Sequence, residues 1–278
     1  MKFKFLADAA CDVPKDLAEK FDINIIPIEV RFGEKMYPDG LSGEQFYNEL
    51  KTNPELPKTS MPNSYKFSNF YKDYVNDKDT FIITIVISME LSTTKIQAQN
   101  AADELGMKNV FIEESAAATV AQGAIIVELA KFCQTCDDIE KIKEEFYRLR
   151  RTCQLYAVIN DLKYLRHSGR LSGASATIGS MLNIKPIVSI VDGKVVNVAK
   201  CMGSNKAEAY IMDTIKNMDE HRPLYLIHSH TPEKVNAMIE RHKKHLPAGQ
   251  EHIEQEIGCI VGSHVGAGCY GIVYFNKD

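Results

Sequence analysis

No apolar run in this 278-residue chain approaches the ~20 residues needed to span a bilayer. The start, Met1-Lys2-Phe3-Lys4, lacks the apolar core and cleavage site of a secretory leader. No Gly-x-x-x-x-Gly-Lys-Ser/Thr loop occurs, so that phosphate cradle lends nucleotide binding no support. A net charge of −4 leaves no footprint for nucleic acid, and no basic helix suggests a membrane surface. Internal repeats and low-complexity linkers are missing too. Seven cysteines are an odd number scattered along a chain too long to need disulfide staples. These absences leave an ordinary globular protein of a reducing, cytoplasmic compartment, with no integral membrane association.

What is present alternates strand and helix. Lys2–Ala7 reads as a short strand ending at Asp8-Ala9-Ala10-Cys11-Asp12, with a helix starting at Val13-Pro14 and a second strand over Ile23–Val30. Arg31–Leu56 reads as polar and irregular, apart from a short helix over Gly43–Lys51. The run Phe81–Ile87 is almost continuously apolar, the pattern of a strand covered on both faces in a parallel sheet. Ser92 then reads as the cap of a helix over Thr93–Leu105. Strand end, hydroxyl and helix start together suit an anion, though Ser92 would serve equally as a plain cap. Further helices are expected to Phe132 and over Asp138–Arg151. This alternation predicts a right-handed, mainly parallel sheet flanked by helices. Ligands of such sheets gather beyond the carboxyl ends of the strands, where Asp8, Thr59 and Ser92 would lie.

The pattern changes near residue 160. Asp161–Lys185 reads as a helix, a glycine-bearing turn at His167–Gly173 and another helix. Asp192-Gly193 between apolar runs is the best hairpin signal in the chain. We therefore expect an N-terminal α/β domain over 1–160 and a C-terminal α/β domain with a mixed sheet over 161–278.

The centre of the site is expected at Gly262-Ser263-His264-Val265-Gly266-Ala267-Gly268, read as a polar turn between apolar runs. Glycine allows close backbone approach and imidazole donates to anions near neutrality, which suits a carboxylate or phosphate. A tight turn with His264 satisfied by backbone is the plainer possibility. Cys133-Gln134-Thr135-Cys136 has redox spacing without a second pair and reads as chance. His228-Ser229-His230, lacking a neighbouring carboxylate, makes a poor metal site. Ser92 with His264 would make a nucleophile–base pair for an acyl or phosphate ester hydrolase, yet no Gly-x-Ser-x-Gly elbow or orienting acid accompanies them. Arg170 in its glycine turn is an anion contact or a structural ion pair.

Taken in order, several segments resemble the DegV family of bacterial fatty-acid-binding proteins. They are Asp8-Ala9-Ala10-Cys11-Asp12, Lys58-Thr59-Ser60-Met61-Pro62, Ser88-Met89-Glu90-Leu91-Ser92-Thr93-Thr94, and Leu162–Leu165 with Ser168-Gly169-Arg170-Leu171-Ser172. Ile184-Lys185-Pro186-Ile187 and His264-Val265-Gly266-Ala267-Gly268 complete the set. The resemblance spans nearly the whole chain. It implies a two-domain DegV-like α/β fold with a long-chain fatty acid such as palmitate, stearate or oleate in a tunnel between the domains. Thr59, Ser92 and His264 would hold the carboxylate, with Ser60, Thr93 and Arg170 beside them. It implies no catalytic residue, no cofactor and no metal, and a fatty acid kinase as partner for phospholipid synthesis. Another acidic lipid would satisfy the same site. Ala9 and Ala267 replace a serine and a proline of the family pattern. Lys200-Cys201-Met202-Gly203-Ser204 stands where the family often carries a basic Arg-Thr pair, which puts the kinase partnership in doubt. An imidazolium at His264 facing a carboxylate would tighten binding as pH falls from about 8 to about 6.

Overall fold

A computed structural model describes residues 1–173 and 183–278. The first half runs β1 (Lys2–Asp8), α1 (Lys15–Lys20), β2 (Ile23–Ile26), β3 (Val30–Phe32), β4 (Lys35–Tyr37) and α2 (Gly43–Thr52). It continues β5 (Lys58–Thr59), α3 (Ser64–Tyr71), β6 (Thr80–Val86), α4 (Thr94–Glu104), β7 (Val110–Glu114), α5 (Thr119–Cys133) and α6 (Ile139–Thr152). Four of these strands form a wholly parallel sheet in the order β2-β1-β6-β7. The apolar run of β6 sits inside it with Ile82 and Ile85 fully buried, as a strand covered on both faces must be.

The second half runs β8 (Cys153–Val158), α7 (Lys163–His167), β9 (Leu171–Ser172), β10 (Ile184–Val191), β11 (Lys194–Met202) and α8 (Ser204–Thr214). It closes with β12 (Leu224–His228), α9 (Pro232–His242), β13 (His252–Glu256), α10 (Cys259–Val265) and β14 (Tyr270–Phe275). Its mixed sheet has the order β13-β12-β14-β8-β10-β11-β9. Asp192 and Gly193, at φ +49° and +78°, make the tight turn between β10 and β11 expected of that dipeptide.

Helix α5 explains how the halves join. Every residue from Thr119 to Ala130 is buried, so the helix is covered all round. It touches β1 and β6 of the parallel sheet and β8 and β14 of the mixed one. One apolar cluster runs from Phe5 and Ile83 through Ile125 and Phe146 to Tyr225 and Val273. Helices α3 and α4 cover the far face of the parallel sheet, and α8 and α9 that of the mixed sheet. The result is an α/β fold with a parallel N-terminal sheet and a mixed C-terminal one.

Several expectations change. The strand read over Ile23–Val30 ends at Ile26, because Pro27 has no N–H for the ladder. The chain restarts as β3, which pairs antiparallel with β4 and β5 in a small separate sheet largely within the stretch read as irregular. Pro14 occupies the position before α1 and not its first turn. The segment around His264 is a helix, α10, and not a turn. Within the stretch read as a glycine turn, His167–Gly173, Leu171 and Ser172 form the short strand β9, parallel to β11. The second helix expected before Lys185 falls mostly outside the described residues. Among the described residues, no helix is long and apolar enough to cross a membrane.

Candidate functional site

The carboxyl ends of β1 and β6 lie side by side, and the chain leaving them forms one wall of a cavity of about 510 Å³. That is the place where open parallel sheets gather ligands. The opposite wall is α10, and β5 closes one side. Thr59, Ser60, Ser92, Thr93, Arg170 and His264 all line this cavity. The rest of the lining includes Ile28, Ile87, Leu165, Ile260 and Val265. A hydroxyl-rich end with apolar walls suits an amphiphile better than a sugar or a nucleotide.

Thr59 reaches the site because β5 pairs with β3, Val30 opposite Thr59, between Pro57 and Pro62. Its Oγ1 lies 3.0 Å from Nε2 of His264. His264 is carried on the last turn of α10, which stops at Gly266 with φ +72°. A Cβ at Gly266 would stand 2.4 Å from the Tyr164 ring, so only glycine ends the helix here. Gly262 is likewise required inside the helix, since a Cβ there would meet Phe46 at 2.7 Å. These contacts explain why a glycine-rich segment is helical: packing against α2 overrides its weak propensity.

Burial, helped by the nearby Arg170 charge, pushes the His264 imidazole down to about 4. Its Nδ1 is enclosed without a hydrogen-bond partner among the described residues. Burial therefore favours the neutral ring of His264 around pH 7. Arg170 is exposed, and its guanidinium donates to the carbonyls of Leu91, at 3.3 Å, and Ser168, at 2.5 Å.

Ser92 does not cap the following helix. Thr93 holds the cap position of α4 without a side-chain bond, while Ser92 Oγ lies 2.8 Å from Oγ1 of the buried Thr94. Thr93 Oγ1 meets the sulfur of Met61 at 2.9 Å. Thr94 was not singled out from the sequence, and its place next to a capping pattern was the available signal. The three half-buried polar groups Thr59, Ser92 and His264 thus face one space from three different elements. Ser60 and Thr93 stand at its exposed edge.

Asp8 and Asp12 were read only as neighbours of the site, and each holds part of its frame. Asp8 accepts from the backbone N–H groups of Ala10 (2.9 Å) and Ile87 (2.7 Å) and from Gln122 (3.3 Å). Ala10 and Ile87 both line the cavity. Burial raises the Asp8 carboxyl, and these three donors offset part of that rise. Elsewhere, His228 and His230 face Glu254 and Glu256 singly, and Cys133 and Cys136 are free thiols. Among the described residues no group of three His, Cys, Asp or Glu side chains could hold a metal ion. Ala9 and Ala267, where the family pattern differs, do not line the cavity.

Comparison with known proteins bears on the family and the fold. A family model described as an uncharacterised protein of the DegV family matches residues 2–277. A DegV domain-containing protein of Listeria innocua is 30% identical over 285 residues, covering 99% of this chain and 99% of its own. The crystal structure of DegV, a fatty acid binding protein from Bacillus subtilis, is 28% identical over 100% of both chains, with a TM-score of 0.84. A DegV family protein from Thermus thermophilus, whose structure is described for fatty acid binding, shares the fold over 100% of both chains at TM-score 0.89 and 24% identity.

Proposed function

The chain belongs to the DegV family, and from that premise we propose that it binds one long-chain fatty acid as a carrier without catalytic activity of its own. The observation that carries this reading is that Thr59, Ser92 and His264, with Thr59 bonded to His264, line one cavity of about 510 Å³ together with apolar side chains such as Ile28, Ile87, Leu165 and Val265. Burying an acyl chain contributes on the order of 0.8 kcal/mol per CH₂, so the walls supply most of the affinity. The carboxylate, once out of water, needs hydrogen bonds. Thr59, Ser92 and the neutral His264 offer donors without a fully buried cation, with Ser60, Thr93 and Arg170 at the edge. Thr59 and Ser92 come from one side of residue 160, Arg170 and His264 from the other. That supports a ligand held between two domains, 1–160 and 161–278. Presentation of the acid to a fatty acid kinase is part of the proposal.

The hydrolase alternative finds less support. The Ser92 hydroxyl is joined to Thr94 and the His264 ring to Thr59, so no nucleophile–base contact links them. The test is native mass spectrometry of protein purified from its own host, followed by lipid extraction. About one C14–C18 acid per chain is expected, and delipidated protein should rebind such acids at micromolar Kd or tighter. Turnover of an ester with no uptake of acid would overturn the reading.

A further inference from the structure

Two non-glycine residues beside the cavity sit in the left-handed region, Asp12 at φ +43° and Thr119 at φ +53°. For a β-branched residue such as Thr119 this conformation persists only where neighbours over-determine it. The two are locked together: Thr119 Oγ1 donates to Asp12 Oδ2 at 2.6 Å, and Thr119 N–H to the Ala10 carbonyl at 2.7 Å. The same Asp12 carboxylate packs against the backbone of Gly258, the residue that starts the His264 helix, and the Gly258 N–H holds its pKa down. A Cβ at Gly258 would stand 2.5 Å from Asp12 Oδ1, so glycine lets the two meet. Asp12 itself does not line the cavity, yet Ala118, adjacent to Thr119, and Ile260, two residues past Gly258, do.

We propose that Asp12 is a positioning residue, a clasp between the Ala118–Thr119 wall and the His264 helix that sets how fast a ligand leaves the cavity. The proposal rests on the fatty-acid reading of that cavity and assigns its control. An ionised carboxylate attracts the Thr119 hydroxyl and the facing Gly258 N–H with charge assistance, whereas a protonated one holds them more weakly. Burial holds the Asp12 carboxyl up at about 7, against the lowering effect of Thr119 and Gly258, with Asp8 and Glu256 adding to the rise. The other titratable groups that share its field are Tyr47, Cys11 and Cys259. His230 stacks on Tyr47 and faces Glu256 at 3.4 Å. As pH rises through neutrality Asp12 ionises, the clasp tightens and release slows.

The experiment is stopped-flow release of cis-parinarate, a fluorescent C18 acid, from full-length protein between about pH 5.5 and about pH 8.5. Wild type should release it roughly tenfold more slowly at the upper end, a change of one such hydrogen bond's order. Asp12→Asn should release fast at every pH. Gly258→Ala, at an ordinary φ of −71° but crowding Oδ1, should release fast with Asp12 intact. Thermal melts establish that each variant is folded. A variant that loses stability but keeps the wild-type rate and pH profile overturns the clasp while leaving fatty-acid binding standing. Wild type that takes up no cis-parinarate sinks the fatty-acid reading, and the claim about release goes with it.

Discussion

Thr59 and His264, 205 positions apart in the chain, share a hydrogen bond of 3.0 Å across the mouth of one cavity. Thr59 belongs to a two-residue strand of a small antiparallel sheet, and His264 to the last turn of a seven-residue helix. Neither element is long enough to stand alone. Each is placed by what it packs against, and the bond between them joins two dependent pieces into one head-group site.

Removing a head-group hydroxyl should cost affinity for the acid specifically. Thr59→Val and Ser92→Ala are each expected to weaken binding of a C16 acid by roughly 1–3 kcal/mol, the cost of leaving a buried charged acceptor short of a donor. The methyl ester, which carries no charge, should lose much less. Parallel titrations of acid and ester decide it; equal losses would make both residues shapers of the cavity.

His264 should cost stability in acid. Its folded pKa of about 4 lies below the unfolded value near 6.5, so the unfolded chain binds the extra proton first. The neutral ring's contribution is complete above about pH 6.5 and is lost as pH falls toward about 4, amounting to about 3 kcal/mol at most. Denaturant unfolding of delipidated wild type and His264→Asn at several pH values isolates this term, since Asp8 and Asp12 are common to both. A gap between the two proteins that stays constant from pH 7 to pH 4 would refute the assignment. Ligand-free protein should show no titration of this ring between about pH 8 and about pH 6.

Gly266→Ala tests the helix end that aims His264. The new Cβ would be strained at φ +72° and would press on the Tyr164 ring. Gly106→Ala is the control, with φ +66° and nothing within 4 Å. The control should lose about 1 kcal/mol from backbone strain, and Gly266→Ala a further 1–3 kcal/mol from the clash. Only the second should also weaken fatty-acid binding. Chemical denaturation and titration measure the two effects separately.

The large elements were legible because they are long and patterned. The apolar run of β6, the Asp192-Gly193 turn and the alternation of strand and helix each carry a local signal of their own. Strands of two or three residues carry no period, which is why β4 and most of β3 were lost in a stretch read as irregular and β5 just after it was not read as a strand. The helix bearing His264 was read as a turn because its glycines look like breakers until Phe46 and Tyr164 fill the space beside them. All six candidate residues line one cavity, yet their roles within it were not readable. Ser92 pairs with Thr94, and Asp12 reaches Gly258 from 246 positions away, through contacts that no local pattern records.

Strand β5 is tied to its sheet by two residue pairs, Val30 with Thr59 and Arg31 with Lys58. The parallel sheet, by contrast, pairs β1 with β6 along six positions and buries both faces. Amides with few cooperative neighbours exchange with solvent through small local openings, whereas those of a doubly covered sheet wait for global unfolding. The Thr59 side of the proposed head-group site therefore belongs to a thinly paired layer that opens more readily than the parallel sheet. Fraying there detaches one donor from a bound carboxylate while the acyl-chain walls keep their shape, so exchange of ligand and survival of the fold run on separate clocks.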